Sequence, residues 1–375
     1  MIYLDNAATS HPKPKSVYKA VCEALYRGGS AGRGGYKEAI IASSVMYECR
    51  EKIAQLFNIP SPDRIAFTKN TTEAINMALK GILKGEGLVI SHMEHNSVYR
   101  PSMKYYREGN EVLIANADKF GYLDFESLEE SILSTTKLVC INHVSNVCGS
   151  VNDIRRACKI AHKKGAITMV DAAQSAGIIP IDVIKDEIDI LVFPGHKGLL
   201  GPVGTGGIYI KEGIEFDTIM EGGTGSESES AYMPELMPDR LEYGTQNVVG
   251  IAGLLEGVKY ILENGEKISG HERELTKKLL ENLSVIPNVH IVGNPSTENR
   301  VGVVSVYFSH KDVVEVANAL ADEGICTRAG LHCAVLAHEA LGTLKSGTLR
   351  FSVGFSNTKE EIDEVSWKLQ KILTS

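Results

Sequence analysis

The chain has 375 residues, 43% of them hydrophobic and 23% charged, which is long enough for two domains and ordinary for a globular protein. Its formal net charge of −8 excludes a general attraction to nucleic acid or to an anionic membrane surface. No apolar run approaches the ~18 residues of a membrane-spanning helix, and "MIYLDNAATSHP" has neither the basic nor the apolar region of a signal peptide.

Residues 44–57 read as a helix and "RIAFTK" (64–69) as a strand. "TTEAINMALKGIL" then predicts a helix with Ile75, Leu79 and Ile82 on one face and Thr71 or Thr72 as N-cap. Strands follow at 87–91, 111–115 and 137–145, with helices at 96–107 and 125–133 between them. "IRRACKIAHKKG" is a helix closed by Gly165. Further strands are expected in 166–177, 188–193 and 205–210. Apolar strands with little alternation, separated by helices, predict an α/β domain over 15–250 built on a mostly parallel sheet covered on both faces.

The Gly-, Ser- and Glu-rich stretch 221–238 reads as an exposed loop, with a lid as its sharper reading. Residues 248–283 carry two helical patterns. Then come "VGVVSVYF" (301–308), a helix, "GICTRAG", a helix, "GTLRFSVGF" and a last helix. These predict a smaller α+β domain formed by 251–375 together with 1–14.

Ligands of open α/β sheets bind at the C-terminal ends of strands, and four such ends carry unusual polar groups: "SHMEHN", "HVSNVCG", "VDAAQS" and "PGHKGLLGP". An Asp closing a buried strand is expensive unless paired, and Lys197 follows Asp171 one strand–turn–strand unit later. The pair reads either as a structural ion pair or as a pyridoxal phosphate site, with Lys197 as the Schiff-base amine and Asp171 against the pyridinium nitrogen. "NTTEAIN" would supply an anion site at a helix start, and His95 a flat ring.

Rival motifs fail. "GPVGTGG" precedes a strand instead of opening a helix, no phosphate-loop motif occurs, and neither His92/His95 nor His332/Cys333/His338 has metalloenzyme spacing, so no metal is expected. His332 and His338 read as a loop residue and a helix-surface residue. Seven cysteines, without a C-x-x-C, point to free thiols and a cytoplasmic location. A free cysteine is commonly a small buried hydrophobe, the reading given to the six other than Cys333.

In order along the chain, "YLDNAAT", "TKNTTEAIN", "MEHNS", "VSNVCG", "VDAAQSAG", "GHKGLLGPVGTG", "EYGTQN", "RAGLHCA" and "LRFSVGFSNT" resemble the cysteine desulfurases of the class V aminotransferase family. These are fold-type I enzymes, and the compact cysteine segment resembles the branch with a short cysteine loop. The resemblance implies pyridoxal 5′-phosphate held on Lys197, with His196 and the Thr71 and Thr72 groups at its phosphate. It also implies Asp171 at the ring nitrogen, Gln174 at the ring oxygen and His95 stacked on the ring. Asn146 and Arg350 look like ligands of the substrate carboxylate, with Arg328 on the active-site loop. Thr245 looks like a residue contributed to a partner's phosphate site, which implies a homodimer.

Cys333 matches the nucleophile that takes sulfur from L-cysteine, leaving alanine and a persulfide for an acceptor protein or thiol. It opens the helical pattern "CAVLAHEALG", and helix N-termini favour thiolates. Selenocysteine remains open as a substrate. So do a class V aminotransferase, lyase or epimerase in which Cys333 is incidental, and a degenerate scaffold that only binds cofactor and partners. Two departures bear on acceptor choice, substrate preference and rate: Pro194 stands where the family commonly has Ser, and "GRGGY" (32–36) lacks both histidines of the branch's "H-R-G-x-H".

Overall fold

The computed structural model describes residues 1–32 and 34–374. A seven-stranded sheet forms its centre, in the spatial order Ile65–Thr68, Gly206–Ile210, Ile190–Pro194, Ile167–Asp171, Thr136–Asn142, Gly87–Ser91 and Val112–Ala115. The last five pair in parallel, whereas Gly206–Ile210 runs antiparallel to both its neighbours. The architecture is the expected α/β one, a mostly parallel sheet with helices on both faces. Side chains alternate across the strands. Val139, Ile141, Leu191 and Phe193 enter one apolar cluster, and Leu138, Cys140, Ile190 and Val192 enter the other. Two apolar faces explain why these strands read as unbroken hydrophobic runs.

A second, antiparallel sheet orders Arg328–Gly330, Thr348–Ser352, Val303–Phe308 and Val289–Ile291. Leu349 and Phe351 point into a separate core with Val304, Val306, Leu320 and Ile362. The alternate residues of the same strand, Thr348, Arg350 and Ser352, are also buried, but on the other face. The N-terminal pair Ile2–Tyr3 adds in parallel to Ile325–Cys326, and Asp5 bridges to Ser352.

Several elements differ from the sequence reading. The helix expected at 44–57 begins at Lys37, because Ala39 and Ala42 extend the buried spacing of Met46, Cys49 and Ile53 upstream. The helix Lys15–Arg27 has a single buried residue, Val17, so its pattern is faint. It lies against a helix in which a Cβ on Gly253 would stand 2.7 Å from Val21 Cγ2. The two patterns of 248–283 are one helix, Val248–Ser284. Its first half packs Ile251, Leu254, Leu255 and Val258 on the large core, and its second half packs Leu275, Leu279, Leu280 and Leu283 on the small one. The change of partner shifts the apolar stripe around the helix without breaking it. Residues 221–238 contain neither helix nor strand and are largely exposed.

One buried ion pair fastens the chain between Ile210 and Val248 to the main sheet. Arg50 Nη2 lies 2.6 and 2.5 Å from Glu242 Oε1 and Oε2, with the two side chains 9% and 7% exposed. Glu242 Oε1 also accepts the Phe67 N–H at 2.7 Å, and Arg50 Nε donates to the Ile65 carbonyl at 3.1 Å. Arg50→Met strands the carboxylate in the core and is expected to cost about 3–5 kcal/mol, read as a lowered denaturation midpoint. Arg50→Met combined with Glu242→Leu should recover part of that loss. An Arg50→Met protein as stable as the parent would show that the pair does not hold this segment.

Candidate active site

Ser91, Asn142, Asp171 and Pro194 end four adjacent parallel strands, so the loops that follow them meet along one edge of the sheet. The polar face of the small sheet closes over that edge. Between the two lies a cavity of about 230 Å³ lined by Thr71, Thr72, His95, Asn146, Asp171, Gln174, His196, Lys197, Arg328, Cys333 and Arg350. Of the candidate catalytic, cofactor-binding and substrate-binding residues, Thr245 alone lies elsewhere, in a separate hollow with Glu73 and Tyr243.

Asp171 closes its strand with 2% exposure. Its Oδ1 accepts the Ala173 N–H at 2.8 Å, while Oδ2 is buried without a hydrogen-bond partner among the described residues. Burial raises its carboxyl pKa, against the pull of the Ala173 N–H and the Lys197 charge. A buried oxygen of this kind costs free energy until a donor meets it. Lys197 is pushed down to about 8 by burial, opposed by Asp171. The N-terminal segment clamps the backbone on either side of this lysine side chain. Thr9 Oγ1 donates to the His196 carbonyl at 3.1 Å, and Ser10 Oγ to the Lys197 carbonyl at 2.8 Å. Gln174 Nε2 gives one N–H to the Ala7 carbonyl at 3.0 Å, and its second N–H remains for another acceptor.

His95 caps the helix Asn96–Arg107, and its Nδ1 accepts the Ser97 N–H at 3.1 Å. Burial, with Lys197 next, holds its pKa down to about 4. The ring is therefore neutral at pH 7 with its proton on Nε2. His196 is likewise held to about 4 by burial and then Lys197, and its Nδ1 is buried without a partner among the described residues.

The N-cap expected at Thr71 or Thr72 is instead Asn70, whose Oδ1 accepts the Glu73 N–H at 3.0 Å. Asn is the stronger capping residue, and Asn70-x-x-Glu73 was the visible signal. The shift places Thr71 and Thr72 in the first helical turn, where backbone N–H groups have no intrahelical acceptor.

Arg328 stands in a strand, not a loop, directly opposite Arg350 in the small sheet. Arg350 is 1% exposed. Its Nη2 donates to Asp5 Oδ1 at 2.8 Å and its Nη1 to the Asn146 carbonyl at 3.1 Å, leaving Nε unpartnered among the described residues. Asp5 stands within the quoted "YLDNAAT", but no local pattern gave it this partner.

Cys333 is exposed. The short helix Val335–Ala340 starts two residues beyond it, so Cys333 does not open the helix as the pattern implied. His332 and Cys333 both adopt left-handed backbone, at φ 49° and 56°. Such a conformation costs a non-Gly residue about 1–2 kcal/mol, and surrounding contacts offset it. Asn146 Nδ2 donates to the His332 carbonyl at 2.8 Å, and the Asn96 N–H to the Cys333 carbonyl at 2.7 Å.

His332 and His338, read from sequence as loop and surface residues, are buried at 4% and 0% exposure. They bond the Thr348 and Thr343 hydroxyls at 2.8 and 2.7 Å, and their rings lie 5.6 Å apart. Arg328 Nη2 is 3.8 Å from Cys333 Sγ.

Glu94 was not foreseen. It is fully buried, accepts the Ser91 hydroxyl at 2.7 Å, and is raised to about 8 by burial and then by the Asp171 charge. Pro194 lines the cavity, whereas Gly32, Gly34, Gly35 and Tyr36 do not, and Arg33 of that segment lies outside the described residues. No cluster of His, Cys, Asp and Glu suited to a metal occurs among the described residues, nor is any helix there long and apolar enough to cross a membrane.

Comparison with known proteins agrees with this geometry. A match to the Aminotransferase class-V family spans residues 2–365. A probable cysteine desulfurase of Methanothermobacter thermautotrophicus is 37% identical, covering 99% of this chain and 94% of the relative. The apo structure of a cysteine desulfurase from Thermococcus onnurineus superposes with a TM-score of 0.93 at 33% identity, over 100% of this chain and 94% of the other. A cysteine desulfurase structure from Escherichia coli gives 0.88 at 30% identity, over 99% and 94%. The chain thus belongs to the class-V aminotransferase family, among its cysteine desulfurases.

Proposed function

We propose that the protein removes sulfur from L-cysteine with pyridoxal 5′-phosphate as cofactor, leaving alanine and a persulfide on Cys333. The observation that carries this reading is one cavity wall shared by a buried amine, an unpartnered buried carboxylate oxygen and an exposed thiol.

The residues fit the cofactor. Asp171 Oδ2, which lacks a donor among the described residues, would face the ring nitrogen and favour its protonated form. The free N–H groups and hydroxyls of Thr71 and Thr72, with His196, would hold the phosphate. Gln174 would give its second amide N–H to the ring oxygen, and His95 would stack on the ring as a neutral imidazole. When bound, the cofactor supplies an electron sink that loosens bonds at the substrate's α-carbon.

Lys197 would hold the cofactor covalently, and as a free amine with its pKa lowered to about 8 it would be able to take the α-proton near neutral pH. Arg350, Arg328 and Asn146 orient the substrate carboxylate, Arg350 through the N–H groups left free by Asp5 and Asn146. Cys333 Sγ, 3.8 Å from Arg328 Nη2, would attack the substrate sulfur. The sulfur–sulfur bond forms as the substrate's Cβ–S bond breaks, and the electron pair stays with the carbon fragment, which takes up a proton to become alanine. Thr245, outside this cavity, completes the phosphate site of a second copy in a homodimer. The exposed apolar residues Leu25, Tyr26, Tyr36 and Ile40 support such an association. The free cysteines favour a cytoplasmic setting.

Two measurements test this reading. Cys333→Ala should still take up the cofactor, turning yellow, but lose alanine formation from cysteine by at least about 10³-fold. Undiminished turnover would make Cys333 incidental.

The second concerns Lys197. Its value is lowered, so the neutral amine that attacks a carbonyl is populated above about 8 instead of 10.5. The rate at which cofactor-free protein captures pyridoxal phosphate should rise as pH increases through about 8 and then level. Borohydride should fix the label on Lys197 and leave none on Lys197→Ala. A rate still climbing toward 10.5, or a label on another lysine, contradicts the assignment.

A further inference from the structure

Cys333 is reached from two sides. Beyond the cavity, Thr72, His95, Ser97 and Cys333 also form one end of a groove of about 570 Å³ that runs outward between the helices Thr71–Ile82 and Asn96–Arg107. Leu79, Leu83, Leu88 and Pro101 supply apolar surface along it, and Lys80, Arg100 and Lys104 supply its cations. Lys104 is neutralised by Glu108 at 3.1 Å. Lys80 and Arg100 are exposed and form no ion pair among the described residues, in a chain whose formal charge is −8. The groove therefore joins an apolar lining, two unpaired cations and a terminal thiol.

The geometry points to this groove as the docking channel for an acidic, thiol-bearing peptide segment of the sulfur acceptor, an inference that rests on the desulfurase reading above. An extended segment lays apolar side chains against the leucines, sets carboxylates against Lys80 and Arg100, and presents its thiol at Cys333. Rim charges of this kind act mainly on encounter and partner choice. The transfer is redox-neutral. The acceptor thiol loses its proton and attacks the outer sulfur of the Cys333 persulfide. The sulfur–sulfur bond to Cys333 breaks, and Cys333 leaves as a thiolate that is reprotonated, while the acceptor becomes the persulfide. The cavity side stays free for the amino-acid substrate.

The test uses cofactor-loaded full-length protein with L-cysteine and three acceptors: a cysteine peptide flanked by Asp and Glu, the same peptide flanked by Lys, and glutathione. Alanine formation with dithiothreitol, an uncharged acceptor, is followed separately. At low salt the acidic peptide should take sulfur faster than the basic one. Lys80→Glu/Arg100→Glu should reduce transfer to the acidic peptide by about tenfold, with dithiothreitol-supported turnover retained. Added salt should erase the preference, because screening reaches about 10 Å at 0.1 M.

Lys80→Glu alone, farther along the groove, provides the same comparison should the double variant fold poorly. Equal transfer to both peptides, or a preference that survives charge reversal, overturns the channel while alanine formation persists. Glutathione matching the acidic peptide, with the same dependence on Arg100, overturns the peptide occupant in favour of a small anionic thiol. Absence of alanine from the parent protein removes the desulfurase reading itself, and the channel with it.

Discussion

A guanidinium cannot remain charged at 1% exposure unless other groups come to it, and Arg350 draws its partners from the far ends of the chain. Asp5, 345 residues away in sequence, gives its carboxylate, and the loop after Thr136–Asn142 gives the Asn146 carbonyl. Burial lowers the Arg350 pKa and Asp5 works against that, so ion and counter-ion must be brought in together. The relay continues outward. Asn146 holds the His332 carbonyl, His332 holds Thr348 on Arg350's own strand, and Cys333 is the next residue. The N-terminal segment, the loops at the sheet edge and the cysteine turn are thus fixed by a single buried charge.

Protonation divides the cavity's labour. Arg328 and Arg350 stand opposite each other on the small-sheet side, their guanidinium groups suited to a carboxylate. His95 and His196 are held neutral by burial and by the cations around them. Glu94, raised to about 8, stays uncharged at pH 7 beneath Asp171, so the two acids do not compete for one counter-charge. Asp171 and Lys197 oppose each other's burial-driven shifts. That mutual support is what an acid and an amine facing one small cavity should show.

The main sheet was legible because strands buried on both faces leave continuous apolar runs, and the strand ends carried the polar residues that line the cavity. Lys197 and Asp171 could be paired from spacing alone. Cys333, Arg350 and Gln174 could not, and came forward only through ordered resemblance to a family. What local pattern concealed was long-range contact. Nothing near Asp5 announces Arg350. Nothing in "LHCAVLAH" shows two histidines turning inward, or a thiol held in left-handed backbone. Glu94 looked like one more acid beside two histidines. The cap at Asn70 is a different failure, since its signal was present and the neighbouring threonines obscured it.

The helix Val248–Ser284, 37 residues and therefore about 55 Å long, gives the molecule a stiff strut. One end is rooted in the core that carries Lys197 and the other in the core that carries Arg350. Ile261 and Ile268 cross the middle with Leu200. A cleft hinged on a loop could gape freely, but this one can widen only by bending the strut or by prying one end from its core. Each half of the helix is also amphipathic toward a different core. Neither core can therefore be completed while the other is unfolded without leaving a leucine-rich flank in water, which couples the two into one cooperative transition.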